Sequence, residues 1–197
     1  PDGKTVAAGH SIVAGRYQVA LARYTVDGAL DTAFGTGGRI LIDAGPDNDA
    51  ALAVAVQPDG KIVIAGYTYT SGFEFLVMRF TEAGALDATF GTNGKVTTAL
   101  TSFNIATSIA LQSDGKIVVA GFSNVGGGQD FVVLRYTTSG VLDSTFSGDG
   151  MAFTHLGGST EQPTSVLVQP DGKIVAAGFS YQGAWSDVAL VRYTTAG

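Results

Sequence analysis

No cysteine occurs in the 197 residues, which excludes a disulfide framework, a thiolate nucleophile and a zinc–thiolate centre. Histidine is almost as scarce: His10 and His155 are the only two, leaving little for imidazole chemistry. The chain carries 17 acidic against 11 basic residues, for a net charge of -6. No lysine and arginine cluster is present to displace the counterions of a phosphate backbone, so a nucleic-acid partner is not expected. No apolar run approaches the ~18 to 20 residues of a membrane span, so membrane insertion is not expected either. A charged-then-apolar leader is also lacking, and because the chain begins at Pro1 any targeting segment is expected upstream. Glycine breaks this pattern of scarcity: 28 of 197 residues is about twice the usual ~7%, without the three-residue period of collagen, and signals many tight turns.

Those turns recur. PDGKTVAAGH from Pro1 is matched by PDGKIVIAGY from Pro58, SDGKIVVAGF from Ser113 and PDGKIVAAGF from Pro170, with Asp2, Asp59, Asp114 and Asp171 spaced 57, 55 and 57 apart. A second signature follows each: ALARYTVDGALDTAFGTGG, LVMRFTEAGALDATFGTNG, VVLRYTTSGVLDSTFSGDG and, at the end, ALVRYTTAG. Arg23, Arg79, Arg135 and Arg192 keep the same phase, 56, 56 and 57 apart. A period of about 56 residues read this way is the mark of a stacked repeat.

One period predicts four strands. The stretch 51–57 alternates and is rich in alanine, 61–67 and 75–81 are nearly continuous apolar runs, and 95–100 is more polar. Continuous apolar strands require cover on both faces. Four-stranded meander sheets stacked radially supply it and leave only short edges. The predicted fold is therefore an all-β propeller of four-stranded antiparallel meander blades. With the strands lettered a to d, the alanine-rich a is expected nearest the axis and d outermost. QPDGK suits a type I turn with a left-handed glycine, joining a to b as a hairpin. In GxLDxxFGxxG, Gly84, Gly91 and Gly94 are expected at positive φ, with Leu86 and Phe90 plugging the space beneath. Ser147 replaces the middle glycine in the third copy, from which that position is not expected to demand positive φ everywhere.

The motifs QPDGKIVIAG, RYT and GxLDxxFGxxG resemble the bacterial delta-60 repeat family, β-propeller repeats of uncharacterised function, across essentially the whole chain. The a–b hairpin is also similar to that of NHL-type propellers. The resemblance implies tandem repeats in a large bacterial protein, secreted or at the cell surface, and implies no catalytic residues. Blade segments are expected at about 1–50 (without strand a), 51–105, 106–162 and 163–197 (without strand d), a partial ring of about 3.5 blades within the single propeller 1–197. The remaining blades of a parent ring or a second copy would complete it. Arg192 has no following aspartate, which fits a fragment.

A meander places the constant a–b and c–d turns at one pole and the divergent b–c and d–a loops at the other. Loops that vary on a rigid scaffold are where binding is expected. Candidates there are Glu74, Asp130 and Asp187, which open strand c as an arc of carboxylates at the channel mouth, with Gln18 in the first copy. Tyr67, Tyr69, Phe73, Tyr181 and Trp185 are candidates for an aromatic platform. The acidic segment 43–49 departs from the EF-hand pattern and reads as a solvated loop. Arg23, Arg79, Arg135 and Arg192 sit inside apolar strands and need partners, for which Asp31, Asp87 and Asp143 are the natural carboxylates, a structural role. No metal site and no cofactor are expected.

The leading functional reading is a non-catalytic binding or scaffolding module that takes an unknown protein or glycan ligand outside the cell. One alternative is a propeller hydrolase or lyase acting on a polysaccharide, with Glu74 and Asp130 as acid and base. Another is a structural spacer. Fold alone does not choose among them.

Overall fold

A computed structural model describes residues 2–125 and 127–197; Pro1 of the first hairpin and Gly126 of the third b–c loop lie outside them. The described residues form fourteen strands and no helix. The first blade comprises β1 (Thr5–Val13), β2 (Arg16–Tyr24) and β3 (Arg39–Ile42); the second β4 (Asp49–Val56), β5 (Ile62–Tyr69), β6 (Phe73–Phe80) and β7 (Lys95–Thr98). The third comprises β8 (Asn104–Leu111), β9 (Ile117–Val125), β10 (Gly128–Tyr136) and β11 (Met151–Thr154), and the fourth β12 (Thr160–Val168), β13 (Ile174–Gln182) and β14 (Trp185–Tyr193). Each blade is an antiparallel meander in chain order, and single parallel bridges, Phe73 with Phe103 and Gln129 with Thr160, link successive blades. The sheets do not close into a ring.

The a strands β4, β8 and β12 pack against one another in succession, which places them innermost. Alternation along the b and c strands explains their continuous apolar runs. Ile62 and Ile64 face Val19 and Leu21 of the first blade, whereas Val63 and Ala65 face Ile117 and Val119 of the third. A third layer joins Val118, Ala120, Phe131 and Val133 to Val166, Ile174 and Ala176 of the fourth. Neighbouring residues therefore belong to different cores, and both faces of a middle blade are dry.

The a–b hairpin closes through the Gln57 amide donating to the Lys61 carbonyl at 2.8 Å and the Gly60 amide to the Gln57 carbonyl at 2.9 Å, with Gly60 at φ +82°. Further along, each complete a strand carries a bulge, at Ala51/Ala53, Ala106/Ser108 and Pro163/Ser165. Opposite it stands the glycine of the repeated AG pair: a Cβ at Gly66, Gly121 or Gly178 would fall closer than 3.0 Å to a backbone carbonyl oxygen of strand a. Gly9 holds the same position in the first blade and has nothing within 4 Å. The AG pair is thus a requirement of close backbone approach.

The c–d segment locks one blade to the next. Arg79 donates from Nε to Asp87 Oδ2 at 2.8 Å and from Nη1 to the Thr138 carbonyl of the following blade at 2.5 Å, and its guanidinium lies 4.7 Å from the Phe90 ring centroid. Lys61 reaches the same Asp87 oxygen at 3.1 Å. Arg23 with Asp31, Lys4 and the Glu82 carbonyl repeats the arrangement, as does Arg135 with Asp143, Lys116 and the Thr195 carbonyl. Alongside, Gly35, Gly91 and Ser147 donate their amides to Ala83, Ser139 and Ala196 of the next blade. Arg192 ends the series exposed to solvent.

Burial works to raise the Asp87 and Asp143 carboxyls. Hydrogen bonds from Thr89 or Thr145, then the lysine and the arginine, outweigh it and hold both well below the usual carboxylate range.

Two expectations about this loop need correction. Ser147 adopts φ +50°, beside +52° for Gly91 and +54° for Gly35, so the position demands the left-handed region even without glycine. The reason is the amide, which must turn outward to meet the next blade's carbonyl. Phe90 is fully buried as the plug, but Leu86 is 37% exposed and instead covers Gly94 from outside. Gly84, Gly91 and Gly94 all lie at positive φ.

Candidate functional site

Nearly every polar group of the c–d lock is engaged in holding blades together, and that pole repeats itself in each copy. It also holds a cleft of about 520 Å³ between the three a–b hairpins, without a charged side chain in its lining. The b–c and d–a segments gather at the other pole. Asp49, Asn104 and Glu161 occupy one position there, each 10 residues before the hairpin aspartates Asp59, Asp114 and Asp171, and all are fully buried. Asp49 Oδ2 accepts the Ala44 and Gly45 amides at 2.7 and 2.8 Å, and its Oδ1 accepts the Thr68 hydroxyl. Asn104 accepts from Ser123 Oγ at 2.7 Å and donates to the Phe73 and Thr101 carbonyls, both at 2.7 Å. Glu161 accepts the Leu156 amide on both oxygens at 2.8 Å and the Gly158 amide at 2.7 Å. These side chains close the d–a crossovers by satisfying loop amides that would otherwise be orphaned. Reading the sequence for motifs passes over them because three different residue types share the position; phase alone would have found it.

Glu74, Asp130 and Asp187 do not form an arc at a channel mouth. They begin strand c, and strands a and b stand between c and the axis. Glu74 accepts the Thr70 hydroxyl at 2.5 Å within its own hairpin, Asp130 is taken up by His155, and Asp187 is exposed on β14. The acidic 43–49 loop likewise spends its oxygens locally. Asp43 lies 3.6 Å from Arg16 Nη2, Asn48 Oδ1 accepts the Tyr17 amide at 2.8 Å, the Pro46 carbonyl accepts from Arg16, and Asp49 turns inward.

The aromatic candidates split into two groups. Tyr67 and Tyr69 meet the edge of Phe73 with centroids 5.2 and 5.0 Å apart, and Phe73 meets Phe103 of the next blade at 5.0 Å. Phe103 continues to Phe122 at 6.0 Å. Tyr67, Tyr69, Phe73 and Phe103 are half-buried, so the run is partly open to solvent while anchored beneath. The Phe73 amide donates to the Ser102 carbonyl at 3.0 Å, which pins the two loops together. Tyr181 and Trp185 stand apart on the fourth blade, Tyr181 against Phe179 and Trp185 78% exposed. Phe103 was not among the candidates read from the sequence, because it pairs with Phe73 only across the blade junction.

At the junction of the third and fourth blades, Asp130 Oδ1 lies 2.8 Å from His155 Nδ1, and Glu161 Oε1 lies 3.8 Å from the same nitrogen. The hydrogen bond to Asp130, opposed by desolvation and helped by the charges of Asp130 and Glu161, raises the His155 pKa above its ordinary value.

The family model described as a domain of unknown function (DUF5122) β-propeller matches residues 1–34, 57–90, 112–146 and 169–197. The chain belongs to this family. Each DUF5122 segment opens on the a–b hairpin and closes within or just after the c–d lock, so the shared signature is the machinery of blade stacking. The d–a crossovers, with Asp49, Phe103, His155 and Glu161, fall between the matched segments. A search of curated proteins gave no match.

Proposed function

We propose that the chain is a non-catalytic binding or scaffolding module of a bacterial secreted or surface protein, and that its b–c and d–a pole engages a glycan or protein. One observation carries the reading: the half-exposed run Tyr69–Phe73–Phe103 crosses a blade junction at the pole where the copies diverge. Partly exposed aromatic surface held rigid by backbone hydrogen bonds binds sugar rings or apolar side chains at low entropic cost. The resemblance to bacterial delta-60 repeats supports the extracellular setting. Glu74 is hydrogen-bonded to Thr70 and Asp130 to His155, on separate blades, and nothing in these contacts favours the hydrolase alternative.

The test is calorimetric titration of the chain with soluble cell-wall and plant oligosaccharides, coupled to product analysis. Saturable binding without turnover is expected, weakened about 5-fold by Phe73→Ala, since one aromatic contact is worth ~1 kcal/mol. Turnover of any of these substrates that disappears in Glu74→Gln would overturn the proposal.

A further inference from the structure

Asp130, His155 and Glu161 are, among the described residues, the one group of three histidine or carboxylate side chains whose ligand atoms all lie within 4.8 Å of one another. We propose that they bind a divalent transition-metal ion of the zinc class, with an open coordination position toward solvent.

The first argument is charge. Glu161 is fully buried and Asp130 6% exposed, and among the described residues neither has a lysine or arginine within 4.0 Å. Elsewhere in the molecule the buried Asp31, Asp87 and Asp143 each hold both an arginine and a lysine, while the buried Asp49 is met by two amides and the Thr68 hydroxyl instead. Two adjacent buried carboxylates whose one cationic partner is an imidazole are short of positive charge, since the amides on Glu161 donate hydrogen bonds but no net charge, and a divalent ion supplies it.

Geometry agrees. Four-coordinate zinc holds its ligands at about 2.0–2.1 Å, which spaces donor atoms about 3.3 Å apart. His155 Nδ1 stands 2.8 Å from one carboxylate oxygen and 3.8 Å from the other, so sub-ångström shifts open the first distance and close the second. The His155 side chain is 61% exposed and free to make them. Glu161 is fixed in place by the Leu156 and Gly158 amides, which donate to Oε1, and by the Leu156 amide shared with Oε2, so a bound ion would share this carboxylate with the crossover amides that orient it. One imidazole with two carboxylates suits zinc or manganese better than calcium.

The repeat adds a third argument. The scaffold presents the same three positions at each of the three blade junctions, as Gln18, Asp43 and Asp49 at the first and Glu74, Ala99 and Asn104 at the second. In the first blade, Asp43 is paired with Arg16. Of the three junctions the third alone fills every position with a histidine or a carboxylate. The ion would tie strand β10 to the d–a crossover, and its open position would face the loop pole.

The experiment is calorimetric titration of the 197-residue chain with Zn²⁺ at about pH 8, where a histidine is largely neutral, with thermal unfolding run in parallel. One ion per chain and a raised Tm are expected. His155→Ala, at an exposed side chain, and Asp130→Asn should each weaken binding at least ~100-fold, since loss even of an outer-sphere partner costs 10- to 100-fold. His10→Ala should bind as the parent does. Should Asp130→Asn fail to fold, Co²⁺ added to the parent chain gives a second reading: visible d–d absorption of a four-coordinate nitrogen and oxygen site, lost in His155→Ala. No saturable binding up to millimolar Zn²⁺, or undiminished binding by His155→Ala, overturns the proposal and leaves the glycan or protein reading untouched.

Discussion

Replacing Gly66 with alanine puts the inner hairpin to a test for which the chain supplies its own control. The new Cβ would meet the Ala50 carbonyl oxygen, with the Ala50 carbonyl carbon at 2.9 Å and the Ala51 Cα at 3.0 Å. An ordinary carbon–oxygen approach is about 3.3 Å, so β4 and β5 must separate by roughly 1 Å beside the bulge, since no rotamer change relieves a backbone clash. Separation loosens the cluster in which Ala51, Ile62 and Ile64 pack. Overpacking costs typically 1–3 kcal/mol and a ladder hydrogen bond about 1 kcal/mol more, giving a loss of about 3 kcal/mol. At this chain length that is roughly 6 to 12 °C in Tm. Gly9→Ala changes the same residue at the same phase with nothing within 4 Å, and should be neutral or gain about 0.5 kcal/mol from the lost freedom of the unfolded glycine. Urea unfolding followed by circular dichroism, with m held constant as the check on mechanism, measures both. Two variants within about 1 kcal/mol of each other would refute the steric account of the AG pair.

Three further outcomes follow from the lock between blades. Ser147→Gly relieves a non-glycine residue at φ +50° and should stabilise by about 0.5–1 kcal/mol in the same urea assay. Arg79→Met leaves Asp87 buried with Lys61 alone and the Thr138 carbonyl unmet; it should cost about 3–5 kcal/mol, against less than about 0.5 for Arg192→Met at the exposed end of the series. Asp87 and Asp143 titrate below the ordinary value of 3.8, so the folded chain binds fewer protons than the unfolded chain as acid is added. Their stabilisation is complete above pH 5, erodes as pH falls through 4, and is lost below their folded-state values. Asp87→Asn should flatten that part of an acid-unfolding curve, and an unchanged curve would show that the lock contributes nothing to acid sensitivity.

The readings that held were those with local causes. QPDGK marks its hairpin because proline, aspartate and glycine each suit one position of the same five-residue turn. The b and c strands declare themselves because a run such as 62–65 serves two cores at once. Where the reading failed, the cause lay beyond the local segment. Ser147 looked like evidence of tolerance because its amide's acceptor, the Ala196 carbonyl, is 49 residues away. The carboxylates of strand c looked like an arc because their common phase is visible, whereas the strand order that keeps them from the axis is not. Phe103 and the Asp130, His155 and Glu161 group escaped notice because each depends on a d–a crossover meeting a neighbouring hairpin.

Sequence by itself determined the number of repeats, their strands and the turn chemistry, since period, alternation and φ preference act over a few residues. Only the tertiary structure decided which carbonyl each arginine reaches, why the AG glycine admits no side chain, and which loop residues stand within bonding distance. Those are relations between segments about 16 residues apart for the AG glycine, about 30 or fewer for the loops and about 60 for the arginines, set by how strands pair and how one sheet leans on the next.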